Sequence, residues 1–114
     1  MLLLKIATTR TWHGIVPIEK AEAFQNYLKN TGIAEAKALS GNKGAYIYSL
    51  SQGEFEHFFM VSYWENIKSI HSFAGSNPHI AVTYPEDNKY CLISDPIVLH
   101  HEVQKVPLEF PLYL

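Results

Sequence analysis

Along this chain the spacing of apolar positions changes period several times, and each change predicts an element. Residues 2–13 carry the β-branched and aromatic content of a strand, with Gly14 and Pro17 placed to end it. Over residues 18–31, Ala21, Phe24 and Leu28 recur at helical spacing, Pro17 stands near the start and Gly32 is placed as a terminating cap. After the loop Ser40-Gly41-Asn42-Lys43-Gly44, residues 45–50 and 55–64 flank the turn-forming Ser51-Gln52-Gly53-Glu54, which predicts an antiparallel hairpin. Asn66 caps a second helix with inner face Ile67, Ile70, His71 and Ala74, stopped by Gly75. A further short helical turn starts at Ser76-Asn77-Pro78 and ends before Pro85. Residues 90–103 read as a last strand, bent or broken at Asp95-Pro96. The order β-α-β-β-α-β predicts an α+β, ferredoxin-like fold with an antiparallel sheet.

Two strands are apolar on both sides. Phe55, Phe59, Val61 and Tyr63 point one way and Phe58, Met60 and Trp64 the other, because side chains alternate with period two. Leu2, Leu4 and Ile6 oppose Leu3 and Ala7 in the first strand in the same way. A sheet with helices on one side only should show a polar second face, so a second copy of the sheet is the expected cover. A homodimer follows. The tail, residues 106–114, holds Pro107 and Pro111 among apolar residues, which predicts an extended arm on protein surface, the partner's by expectation, appended to one domain of residues 1–105.

Composition narrows the classes. A chain of 114 residues has room for one core, and 47% hydrophobic with 18% charged residues predicts a folded domain. A net charge of −2 with scattered Lys and Arg offers no basic stripe for nucleic acid. Apolar runs fall far short of the roughly 20 residues of a membrane-crossing helix, and Met1-Leu2-Leu3-Leu4, interrupted by Lys5, reads as strand rather than signal-peptide core. The single Cys91 fits a reducing compartment, with cytoplasm as the default.

Several short motifs occur in order along this pattern: Arg10-Thr11-Trp12-His13-Gly14, Gly41-Asn42-Lys43-Gly44-Ala45, Tyr63-Trp64-Glu65-Asn66, Phe73-Ala74-Gly75, Tyr84-Pro85-Glu86-Asp87 and His100-His101-Glu102-Val103. In order and spacing the chain resembles the antibiotic biosynthesis monooxygenase-like family of dimeric α/β barrels. The resemblance implies a dimer whose two sheets close into a barrel, with a small-molecule cavity between each sheet and its own helices. It implies a cofactor-independent monooxygenase acting on a small aromatic or polyketide-like molecule. The alternative is a non-catalytic small-molecule-binding or assembly protein of the same fold. Relatives that degrade haem use an Asn, a Trp and a His. Aligned on Trp64, those positions fall near Thr9, at Phe73 and close to Thr83 with His79 nearby, which argues against haem.

Among candidate chemical groups, His71 leads: helical period puts it on the inner face, either as a satisfied core histidine or as a catalytic base facing a cavity. Arg10 and Trp12 share a face of the first strand, either as a structural edge pair or as a cation and an aromatic wall for a planar, acidic ligand. His57 lines either the pocket or the dimer barrel, and Tyr84, held extended before Pro85, either closes the cavity mouth or packs. Thr9, Phe73 and His79 complete the expected binding set. His100 and His101, adjacent on a strand, point to opposite faces and cannot share a metal, and no other pair has zinc-ligand spacing. Cys91 is expected to fill space in a strand.

Overall fold

The computed structural model describes residues 4–105; the expected arm at 106–114 lies outside them. Strand β1 (Leu4–Pro17) runs past the glycine expected to end it. Gly14 pairs with Phe58 on one side and Ser94 on the other, and a Cβ there would lie 2.5 Å from the indole of Trp12. This glycine makes room for a ring and does not break the strand.

A 3₁₀ turn, Ile18–Lys20, leads into α1 (Ala21–Leu28), which buries Phe24 and Leu28. The helix then continues through a π segment, Lys29–Ile33, into α2 (Ala34–Lys37), so Gly32 is no cap. It is buried in the π segment, where an added Cβ would meet Met60 Sδ at 2.9 Å. Close helix-to-sheet approach, not termination, is its role.

Strands β2 (Asn42–Gln52) and β3 (Phe55–Trp64) form the expected hairpin, turning at Gly53 with φ of +61°. Helix α3 (Ile67–Ala74) starts and stops as expected: the Asn66 side chain accepts the Ser69 N–H at 3.0 Å, and Gly75 follows at φ +80°. Its inner face differs from the expected one. Ile70 is buried and Phe73 and Ala74 pack on the core, while Ile67 and His71 are exposed.

The helical turn expected at Ser76-Asn77-Pro78 is absent; instead a 3₁₀ turn forms at Asp87–Tyr90, after Pro85. Cys91 ends it, exposed and at φ +53°, outside any strand. The last strand is broken at Asp95-Pro96 into β4 (Ile93–Ser94) and β5 (Leu99–Lys105). Both pair antiparallel with β1, so the sheet runs β2-β3-β1 with β4 and β5 along the far edge of β1. The result is α+β, with a five-stranded antiparallel sheet, and is compatible with a ferredoxin-like fold. Phe58, Met60 and Trp64 are buried beneath the helices, and the register places Phe59, Val61 and Tyr63 on the opposite face. Among the described residues no helix is long and apolar enough to cross a membrane.

Candidate functional site

Alternation along β1 sends Arg10 and Trp12 toward the helices and Thr9, Thr11 and His13 to the other face. Arg10 is 3% exposed. Its Nε donates to the Pro78 carbonyl at 3.2 Å and its Nη2 to the Ile80 carbonyl at 2.9 Å. The guanidinium carbon sits 5.4 Å from the ring centroid of Phe73. Among the described residues no carboxylate lies within ion-pair distance of it. Burial pushes its pKa down to about 10, which still leaves the group charged at neutral pH.

Arg10 and Trp12 line a small, partly open cleft with Tyr27, Met60, Phe73 and Tyr84. Its volume is about 30 Å³, room for a water or two. Trp12 is held in the wall by its indole N–H, which donates to Ser94 Oγ at 2.8 Å. On the opposite wall, Tyr84 is oriented by its own N–H, which donates to Asp87 Oδ2 at 2.9 Å, and by edge-on contact with Tyr27 at 6.5 Å between centroids.

Of the buried polar atoms near Arg10, His100 Nε2 has no hydrogen-bond partner among the described residues, and Tyr84 Oη has none but the nearby Glu35 carboxylate. Such atoms cost free energy unless something supplies the missing bond. Burial, with the nearby Glu35 carboxylate, pushes the Tyr84 phenol well above the usual tyrosine range, so it keeps its proton and can only donate to an anion. His100 stands opposite Arg10 on β5. Burial and the Arg10 charge hold its pKa below the ordinary histidine value, so it stays neutral at neutral pH.

Four of the expected site residues therefore converge: Arg10, Trp12, Phe73 and Tyr84. The others do not. His71 is exposed, and its Nδ1 donates to the Gly75 carbonyl at 2.7 Å, closing the end of α3 instead of facing a cavity. Helix α3 is rotated so that Phe73 takes the inward position, because a large ring buries more apolar area than an imidazole. Thr9 and His57 face away from the helices, on the far side of the sheet. His79 is exposed, its ring edge-on to that of His100 at 6.2 Å. Tyr27, Asp87 and Ser94 belong to the site and had no role in the expected set. Tyr27 follows Phe24 by three residues, a signal of a shared helix face; Asp87 and Ser94 gave none, since only chain reversal brings them to β1.

Among the described residues no three His, Cys, Asp or Glu side chains are grouped to hold a metal ion. No protein-family model and no curated protein matches this chain.

Proposed function

We propose that this protein binds a small, planar, anionic molecule in the cleft between sheet and helices, with its acidic group on Arg10. The observation that carries this reading is a charged guanidinium, almost fully buried and in no ion pair among the described residues, at an aromatic-walled cleft. Arg10 has five N–H donors and commits two to carbonyls, so the rest can take a carboxylate or phenolate in fork geometry. Trp12 and Phe73 supply aromatic walls. The cleft, about 30 Å³, is too small for an aromatic ring as it stands, so the segment over Arg10, residues 76–92, yields to admit the ligand.

The reading includes a homodimer of two ferredoxin-like sheets, as in the dimeric α/β barrels the chain resembles, in a reducing cytoplasm. Tyr48 is 54% exposed, Leu50 49% and Leu99 59%, all on the face without helices. A two-fold partner offering the same face covers both copies at once.

The monooxygenase reading has less support in this geometry. His71 faces solvent and Tyr84 holds its proton, so neither serves there as the base the reading needs. Oxygen uptake with electron-rich phenols, above a denatured-protein control, would restore it.

The test of binding uses the indole of Trp12 as reporter. Salicylate and benzoate should change tryptophan fluorescence saturably, and their neutral amides should not. Arg10→Met should weaken carboxylate binding at least tenfold. Equal binding of amide and acid, or no loss in Arg10→Met, would overturn the reading.

A further inference from the structure

On the face of the sheet away from the helices, three titratable side chains from different segments are joined end to end. His13 Nδ1 lies 2.7 Å from Asp95 Oδ2, and His13 Nε2 lies 2.9 Å from His57 Nδ1. The register sets this up: His13 pairs with Phe59 and Ile15 with His57, so the two histidines are diagonal neighbours on one face, within reach of long side chains. Asp95 is brought alongside by its backbone N–H, which donates to the His13 carbonyl at 2.9 Å. The Phe59 ring, directly across the strand pair, stacks on that of His13 with centroids 4.6 Å apart.

The two imidazole centroids are 5.1 Å apart with planes 14° from parallel. That separation is close to the nitrogen–nitrogen distance plus one ring radius at each end. The rings therefore meet edge to edge in nearly one plane, the geometry of a straight N–H···N hydrogen bond and not of a face-to-face stack.

The hydrogens then follow from donor and acceptor roles. An ionised Asp95 only accepts, so a neutral His13 carries its proton on Nδ1 and offers the Nε2 lone pair. His57 must donate to that lone pair from Nδ1, which leaves an unprotonated Nε2 at the end of the chain. Among the described residues this nitrogen has no hydrogen-bond partner, and the cross-strand neighbours of His57 are the apolar Ile15 and Leu50.

We propose that Asp95, His13 and His57 form a proton-accepting site, in which His57 Nε2 takes the proton of an apolar molecule bearing one weakly acidic O–H. The ligand O–H bond breaks, its electron pair stays on oxygen and the new N–H forms on His57. His57 keeps its Nδ1–H on His13 and His13 keeps its own on Asp95. The carboxylate balances the imidazolium that forms, and Ile15, Leu50 and Phe59 offer apolar contact to the ligand beside it. The site lies across β1 from the Arg10 cleft and does not rest on that reading; it is complete within one chain, and a second copy covering this face would enclose it.

A nitrophenol whose phenolate absorbs at longer wavelength than the phenol serves as probe, added to the full-length chain at fixed pH. The expected result, read in an Arg10→Met background so that the cleft cannot supply the signal, is a saturable phenolate band that is lost on adding His57→Phe and falls several-fold on adding Asp95→Ala. No band in that background, or a band that survives His57→Phe there, would overturn the proposal. Asp95 and His13 are positioning residues, and nitrogen-15 imidazole spectra read their role separately from folding. Both histidines should be Nδ1–H tautomers in the native protein, with His13 switching to Nε2–H in Asp95→Ala. An Nε2–H tautomer on His57 in the native protein would equally overturn it.

Discussion

Gly14 lies beneath the indole of Trp12: a Cβ at Gly14 would stand 2.5 Å from Cζ2 of that ring and 3.0 Å from Leu92 Cδ1. Neither neighbour is free to move, since Trp12 is tied to Ser94 and packs into the core. Gly14→Ala should therefore destabilise the fold by about 1–3 kcal/mol, the usual cost of overpacking. The urea midpoint checks this, and an unchanged midpoint would mean that the ring does not occupy that space.

Arg10 also ties the segment around Pro78 to β1. Arg10→Met removes two hydrogen bonds but relieves a buried charge, and these offset, so global stability should change little. Local opening should not stay constant. Amide exchange should accelerate at Ala81 and Val98, whose N–H groups hold the same segment through the Pro96 and His79 carbonyls. His71→Ala, made on the outer side of α3, should leave carboxylate binding unchanged.

His100 titrates lower in the fold than its ordinary value because burial and Arg10 disfavour its charged form. The unfolded chain therefore binds the proton first as pH falls, and stability from this source is complete above the unfolded value of about 6.5 and is lost below it. Urea midpoints between pH 8 and pH 5 should fall with acidification, and His100→Phe should flatten that slope. A slope unchanged by the substitution would show that His100 is not the group responsible.

Tyr84 should be among the last tyrosines to ionise. Its burial and the Glu35 carboxylate both oppose phenolate, whereas Arg10 favours it only weakly. In an ultraviolet titration to high pH, Tyr84→Phe should remove amplitude from the latest part of the curve, and removal of early amplitude would show an exposed ring.

The helix-free face gives a direct association test. Tyr48→Asp combined with Leu50→Asp should dissociate the dimer while leaving circular dichroism unchanged, since both side chains are half exposed in the single chain. A native protein that sediments as a monomer at micromolar concentration would end the dimer reading.

What the sequence determined by itself was the alternation of elements and the two-sided character of the strands. Period-two and helical spacing are local properties, and so are the Asn66 cap, the Gly53 turn and the break at Asp95-Pro96. Arg10 and Trp12 were legible as one face of a strand for the same reason. Local pattern could not decide which way α3 turns, because His71 and Phe73 both fit an inward position until the sheet beneath offers a space shaped for a ring. Nor could it tell that Gly14 and Gly32 serve close packing, since a glycine under Trp12 or against Met60 looks like a terminator until the neighbour is known. The chain of Asp95, His13 and His57 is the clearest case. Its members are 44 and 82 residues apart along the chain from His13, and only the register of β1 with β3 and the return of the chain to β1 at Ser94 bring them within hydrogen-bond reach.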